Sequence, residues 1–142
     1  MDRSRIALFV AWLITIVSVI GSLYFSEILH LPPCLLCWYQ RIFMYPLVII
    51  LGIGLLRKDK DMPYYALPLS LLGLFIAIYH VLLYYGFIPE SLAPCSLGIS
   101  CTTKQIQWFG FVSIPLLSMI GFILITFASA LALIDIKKTE HA

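Results

Sequence analysis

The chain has 142 residues, of which 62% are hydrophobic and only 11% charged, and its mean hydropathy is +1.03. That composition lies far outside the soluble range and defines an integral membrane protein. Four apolar runs, each near the roughly 20 residues that cross a bilayer as a helix, consume most of the sequence and leave no soluble domain. A net charge of +2 gives no footing for nucleic acid.

In chain order, Arg3 and Arg5 precede the first run, Ile6 to Phe25. It is longer than the roughly 7–15 residues of a signal-peptide core, and no small-x-small cleavage site follows before SEILHLPPC, so a retained helix is expected. The stretch PPCLLCWYQR, residues 32–41, leads into the second run, about Trp38 to Leu56. A loop RKDKDMP with Arg57, Lys58 and Lys60 leads to the third run, Tyr64 to Tyr85, which carries His80 as its only deep ionisable group. Residues 86–107 contain PCSLGISC, with Cys95 and Cys101. The fourth run, Trp108 to Ile134, is followed by Lys137 and Lys138.

Seven of the nine Lys and Arg residues lie at the N-terminus, in the RKDKDMP loop and in the tail. The positive-inside rule makes those regions cytoplasmic, which agrees with four spans and two cytoplasmic termini. Connections 26–37 and 86–107 then face outward and hold all four cysteines, and Trp38, Tyr39, Tyr84, Tyr85 and Trp108 form an outer aromatic belt. Continuous apolar runs without alternation exclude a barrel, so the expected architecture is an all-α, integral membrane four-helix bundle forming a single transmembrane domain. Pro46, Pro68 and Pro115 fall near the starts of their spans, where a missing N–H costs least. Small residues such as Ser18, Ser22, Gly52, Gly54, Gly73, Ala128 and Ala132 allow close helix approach.

An even number of cysteines on the oxidising face of a membrane favours disulfides over free thiols. A Cys34–Cys37 bond closes too small a ring to be a useful staple, whereas that spacing is the one found in exchangeable redox pairs. Pro32 and Pro33 announce a helix start, which puts Cys34 at the positive end of the helix dipole, where a thiolate is favoured. Cys37 and Arg41 are four apart and share a helix face. The guanidinium there favours an anion on the sulfur or on a reactant. Zinc on four cysteines fits poorly with the five residues between Cys95 and Cys101, and haem attachment lacks its histidine, since Trp38 follows the second cysteine. His80, an ionisable residue within a span, is a functional candidate. Two dithiols on one face of a bundle point to an electron relay that ends on a lipid-soluble two-electron acceptor, and a quinone fits that chemistry.

CLLCWYQR, the paired outer cysteines and the four-span layout resemble the DsbB family of membrane disulfide oxidoreductases over essentially the whole chain. The compact PCSLGISC pair is most similar to the family's BdbC branch of Gram-positive bacteria, since DsbB proper has a longer second loop. The resemblance implies that an extracytoplasmic thioredoxin-like protein of the DsbA or BdbD kind delivers its dithiol to Cys95. Cys101 then exchanges with Cys34, and Cys37, with Arg41 beside it, contacts the quinone. It also implies a quinone-site role for His80, and a Gram-positive source favours menaquinone over ubiquinone. Vitamin K epoxide reductases share a related bundle but fit the cysteine layout less well.

The expected function is therefore quinone-linked reoxidation of an extracytoplasmic disulfide donor at a bacterial cell membrane. A four-helix scaffold whose two disulfides brace its loops is the competing, non-enzymatic expectation. An enzyme drawing electrons from a cytosolic thioredoxin would need cysteines within the spans, and this sequence has none there.

Overall fold

A computed structural model describes residues 2–30, 34–89, 91, 107–108 and 112–142. Four long helices dominate it: α1 (Arg3–Leu23), α2 (Leu35–Arg57), α3 (Met62–Tyr84) and α4 (Ile114–Glu140). Each is long and apolar enough to cross a membrane. α1 packs on α2 and α4, and α3 packs on α2 and α4, so the four close into a ring. A minimal antiparallel ladder, β1 (Gln107–Trp108) with β2 (Val112–Ser113), precedes α4.

Local chemistry explains where the helices begin and end. α2 starts at Leu35, ahead of the apolar run that opens near Trp38, so Cys34 becomes its N-cap and Cys37 lies in its first turn. It stops at Lys58, whose φ of 56° lets the Asp59 N–H reach the Gly54 carbonyl at 2.9 Å, closing a Schellman turn. α3 has a proline in its first turn, where the absent N–H is an orphan in any case. α4 begins only at Ile114, after Trp108, because Ser113 caps it by accepting from the Leu116 N–H and Pro115 occupies its first turn. α1 continues into a π-helical turn, Tyr24–Ile28. Such turns widen the helix and displace the side chains that follow.

The centre of the bundle is packed around Leu8, Ala11, Met44, Leu47, Leu51, Ala66, Ala77, Phe122 and Ile125. Gly73 on α3 lets the Phe122 ring of α4 lie where a β-carbon would stand. Trp12 of α1 donates its indole N–H to the Val48 carbonyl at 3.1 Å, beside Gly52. Large apolar side chains cover the outside of every helix, among them Val17, Ile49, Leu56, Phe75 and Phe127. In water this surface would drive aggregation; against acyl chains it is the expected finish.

Candidate active site

The dithiol sits where α2 begins. Cys34 is buried and packs in a small cluster with Leu36 and Leu83, apart from the main core. Its Sγ lies 3.1 Å from that of Cys37, so the two sulfurs are in hydrogen-bond contact as free thiols. The N-cap position gives Cys34 the helix-start environment that stabilises anions. Its thiol is pulled down from 9.0 to about 4, chiefly by the hydrogen bond from Cys37 and then by His80, against the opposing cost of burial. The arrangement is that of an exchange-active pair, with one sulfur poised as an anion.

Two different surroundings flank the pair. On the Cys34 side, His80 Nε2 stands 3.7 Å from the sulfur, and His80 Nδ1 is 3.1 Å from Gln40 Nε2. Gln40 in turn accepts from the Ser118 hydroxyl. On the Cys37 side is a cavity of about 340 Å³ between α1, α2 and α4, bounded by apolar walls that include Val17, Phe25, Met44, Leu117 and Phe122. Its polar lining consists mainly of Cys37, Gln40, Arg41, Ser118 and Ser22, and Tyr45 also lines it. The Tyr45 hydroxyl is buried and has no hydrogen-bond partner among the described residues.

Arg41 is fixed by α1. Its Nε donates to Ser22 Oγ at 2.8 Å, and its Nη2 donates to the Ser22 carbonyl and to Ser26 Oγ, both at 3.0 Å. Its guanidinium also lies 5.3 Å from the centre of the Trp38 ring. Ser26 belongs to the π-helical turn that ends α1. The guanidinium is thus held beside the cavity instead of snorkelling freely to the surface.

The structure brings together Cys34, Cys37, Arg41 and His80, each singled out in the sequence. It divides them, however: Arg41 shares the cavity with Cys37, whereas His80 lies against Cys34 and Gln40, and does not line that cavity. Cys95 and Cys101 lie outside the described residues. Gln40, Ser118, Ser22 and Ser26 were not legible as site residues from sequence alone. The available signal was Gln40 itself, an amide three residues after Cys37 at the edge of an apolar run, where a polar group needs a partner. Cys34, Cys37 and His80 also place three ligand atoms within 4.8 Å of one another, close enough for a soft metal ion to span. Their mutual hydrogen bonds are equally those of a thiol exchange site.

The residues around the cavity fit a quinone. Apolar walls suit a lipid-soluble ring and tail, while the fixed cation of Arg41 offers a polar group to its oxygens.

A family model described as disulfide bond formation protein DsbB matches residues 4–132. The chain is 47% identical over 127 residues to disulfide bond formation protein C of Bacillus subtilis, covering 88% of this chain and 91% of that one. It is 48% identical over 116 residues to a Bacillus cereus protein named "Probable disulfide formation protein C 2", covering 82% of this chain and 83% of the other. A Metapseudomonas resinovorans protein named "Probable disulfide formation protein" is 40% identical over 132 residues, 92% of this chain and 89% of its own. No solved structure matches. With a dithiol at a helix start, four membrane-spanning helices and a family match over most of its length, the chain belongs to the DsbB family and is a multi-pass bacterial membrane disulfide oxidoreductase.

Proposed function

We propose that the protein reoxidises an extracytoplasmic thioredoxin-like disulfide donor of the DsbA or BdbD kind and passes the electrons to a membrane quinone, menaquinone before ubiquinone. The observation that carries this reading is the shared cavity: the sulfur of Cys37 and the anchored guanidinium of Arg41 border one apolar space open to a lipid-soluble ligand. The whole chain acts as one transmembrane domain with both termini cytoplasmic and its cysteines outward, as the distribution of Lys and Arg supports.

The partner's two thiols become a disulfide by exchange with the Cys95–Cys101 pair, and that pair is reoxidised by exchange with Cys34–Cys37. Attack of Cys101 on Cys34 breaks the Cys34–Cys37 bond and frees Cys37 as a thiolate, which Arg41 steadies across the cavity wall. Cys95 then attacks Cys101, closing the Cys95–Cys101 disulfide and releasing Cys34. A bound quinone supplies a sink for two electrons and two protons. Cys34 then closes on Cys37 to restore the disulfide, and the two electrons leave the protein. Per cycle one dithiol is oxidised and one quinone is reduced to its quinol.

The test is a purified assay with a reduced thioredoxin-like protein and a quinone, followed by quinone absorbance. The parent should oxidise its partner and consume quinone one for one. Cys34→Ser and Cys37→Ser should both lose turnover. A Cys37→Ser protein that reduces quinone as fast as the parent would sink the route. A Cys34→Ser protein that still oxidises the partner would return both cysteine pairs to a bracing role.

A further inference from the structure

The polar line behind Cys34 runs over three helices. Cys34 caps α2, His80 comes from α3, Gln40 from α2 and Ser118 from α4, each hydrogen bonded to the next. Gln40 is 6% exposed and His80 2% exposed, so both must satisfy their polar atoms inside the protein.

The placement of the Gln40 amide sets the direction of each bond. The structure places Gln40 Oε1 toward Ser118, and an amide oxygen only accepts, so the Ser118 hydroxyl donates to it. The amide nitrogen is then the atom that meets His80 Nδ1, at 3.1 Å. An amide NH₂ has only hydrogens to give, so Nδ1 accepts and the ring proton resides on Nε2. Nε2 is the nitrogen that faces Cys34 Sγ, at 3.7 Å. The opposite tautomer would set a nitrogen lone pair against the sulfur anion.

We propose that Gln40, anchored by Ser118, is a positioning residue that holds His80 in its Nε2–H tautomer, so that the imidazole donates a hydrogen bond to the Cys34 sulfur. The role deepens the proposed exchange route and rests on it for its purpose: the anion that closes on Cys37 is kept in place by a donor whose own orientation is set from a second helix. It also gives His80 a place in thiol chemistry on the Cys34 side of the pair.

The test reads the tautomer directly. Full-length protein labelled with ¹⁵N-histidine is reduced, and the His80 ring signals are assigned by their loss in His80→Asn. The parent should show Nε2 protonated and Nδ1 as an acceptor. Gln40→Glu offers only acceptors, so Nδ1 should become protonated; Gln40→Leu should lose the preference for Nε2–H. Exchange between Cys34 and a small disulfide should slow by about 10-fold in Gln40→Leu, the low end of the scale known for groups that orient metal-binding histidines. A parent with Nδ1 protonated, or an Nδ1 that remains an unprotonated acceptor in Gln40→Glu, would overturn the proposal. If Gln40→Leu does not fold, the near-isosteric Gln40→Glu carries the test alone. The spectra need no quinone, so a failure of quinone reduction in the parent would count against the proposed route and leave the tautomer result standing.

Discussion

The two sulfurs of one Cys-x-x-Cys look out on different worlds. Cys34 is sealed against the buried imidazole of His80, while Cys37 borders an apolar cavity beside a cation tied to α1, and the Gln40 amide and Ser118 hydroxyl that hold His80 also line that cavity. One turn of helix produces this division, because residues three apart at a helix start lie on neighbouring but distinct faces. The difference teaches that a redox motif acquires direction from its surroundings. On the proposed route the first sulfur exchanges with protein thiols and the second meets the lipid-soluble acceptor.

Substitutions that strike one side and spare the other would break or sharpen this comparison. The largest effect is expected for Cys37→Ser, which should lower quinone reduction by about 10³-fold or more, measured by quinone absorbance. Phe122→Ala should come next. Its ring is fully buried, lines the cavity and nests on Gly73, so its loss should cost about 3–5 kcal/mol of stability, read from unfolding in detergent. Arg41→Ala should raise the apparent KM for quinone about tenfold, equivalent to about 1.4 kcal/mol, while exchange with the thiol partner stays as in the parent. Unchanged quinone kinetics would make Arg41 an anchor for α1 and nothing more.

The smallest effect to resolve is the titration of Cys34. Its folded thiol ionises near 4 and its ordinary value is 9.0. Between those limits the unfolded chain holds a proton that the folded chain does not, so the contribution to stability rises with pH and is lost as pH falls through about 4. The reduced parent should keep its ultraviolet thiolate absorbance down to about pH 5, and Cys34→Ser should lack that component. His80→Ala should move the midpoint upward, since His80 is among the causes of the lowering. A midpoint unmoved by His80→Ala would show that the Cys37 hydrogen bond suffices.

Much of the fold was legible because a bilayer admits few solutions: apolar runs of sufficient length without alternation must become helices. The start of α2 was announced by Pro32 and Pro33, but that of α4 was not legible, since a cap decides it. Ser113 sets it by accepting from the Leu116 N–H, and hydropathy is blind to a cap. The pairing of Cys37 with Arg41 on one face followed from spacing within a single helix. The placing of His80 did not, because its partners Cys34 and Gln40 come from another element, 46 and 40 residues away.

The sequence by itself determined a membrane bundle, the close spacing of the first cysteine pair and the company of a cation, all of which depend on composition or on neighbours within a turn. Only the tertiary structure decided that Arg41 is tied to Ser22 and Ser26, that Cys37 shares its cavity, and that Gln40 joins His80 to Ser118. Those contacts cross between helices. Their register depends on small residues such as Gly73 and on the π-helical turn of α1, and on how far those let the helices approach.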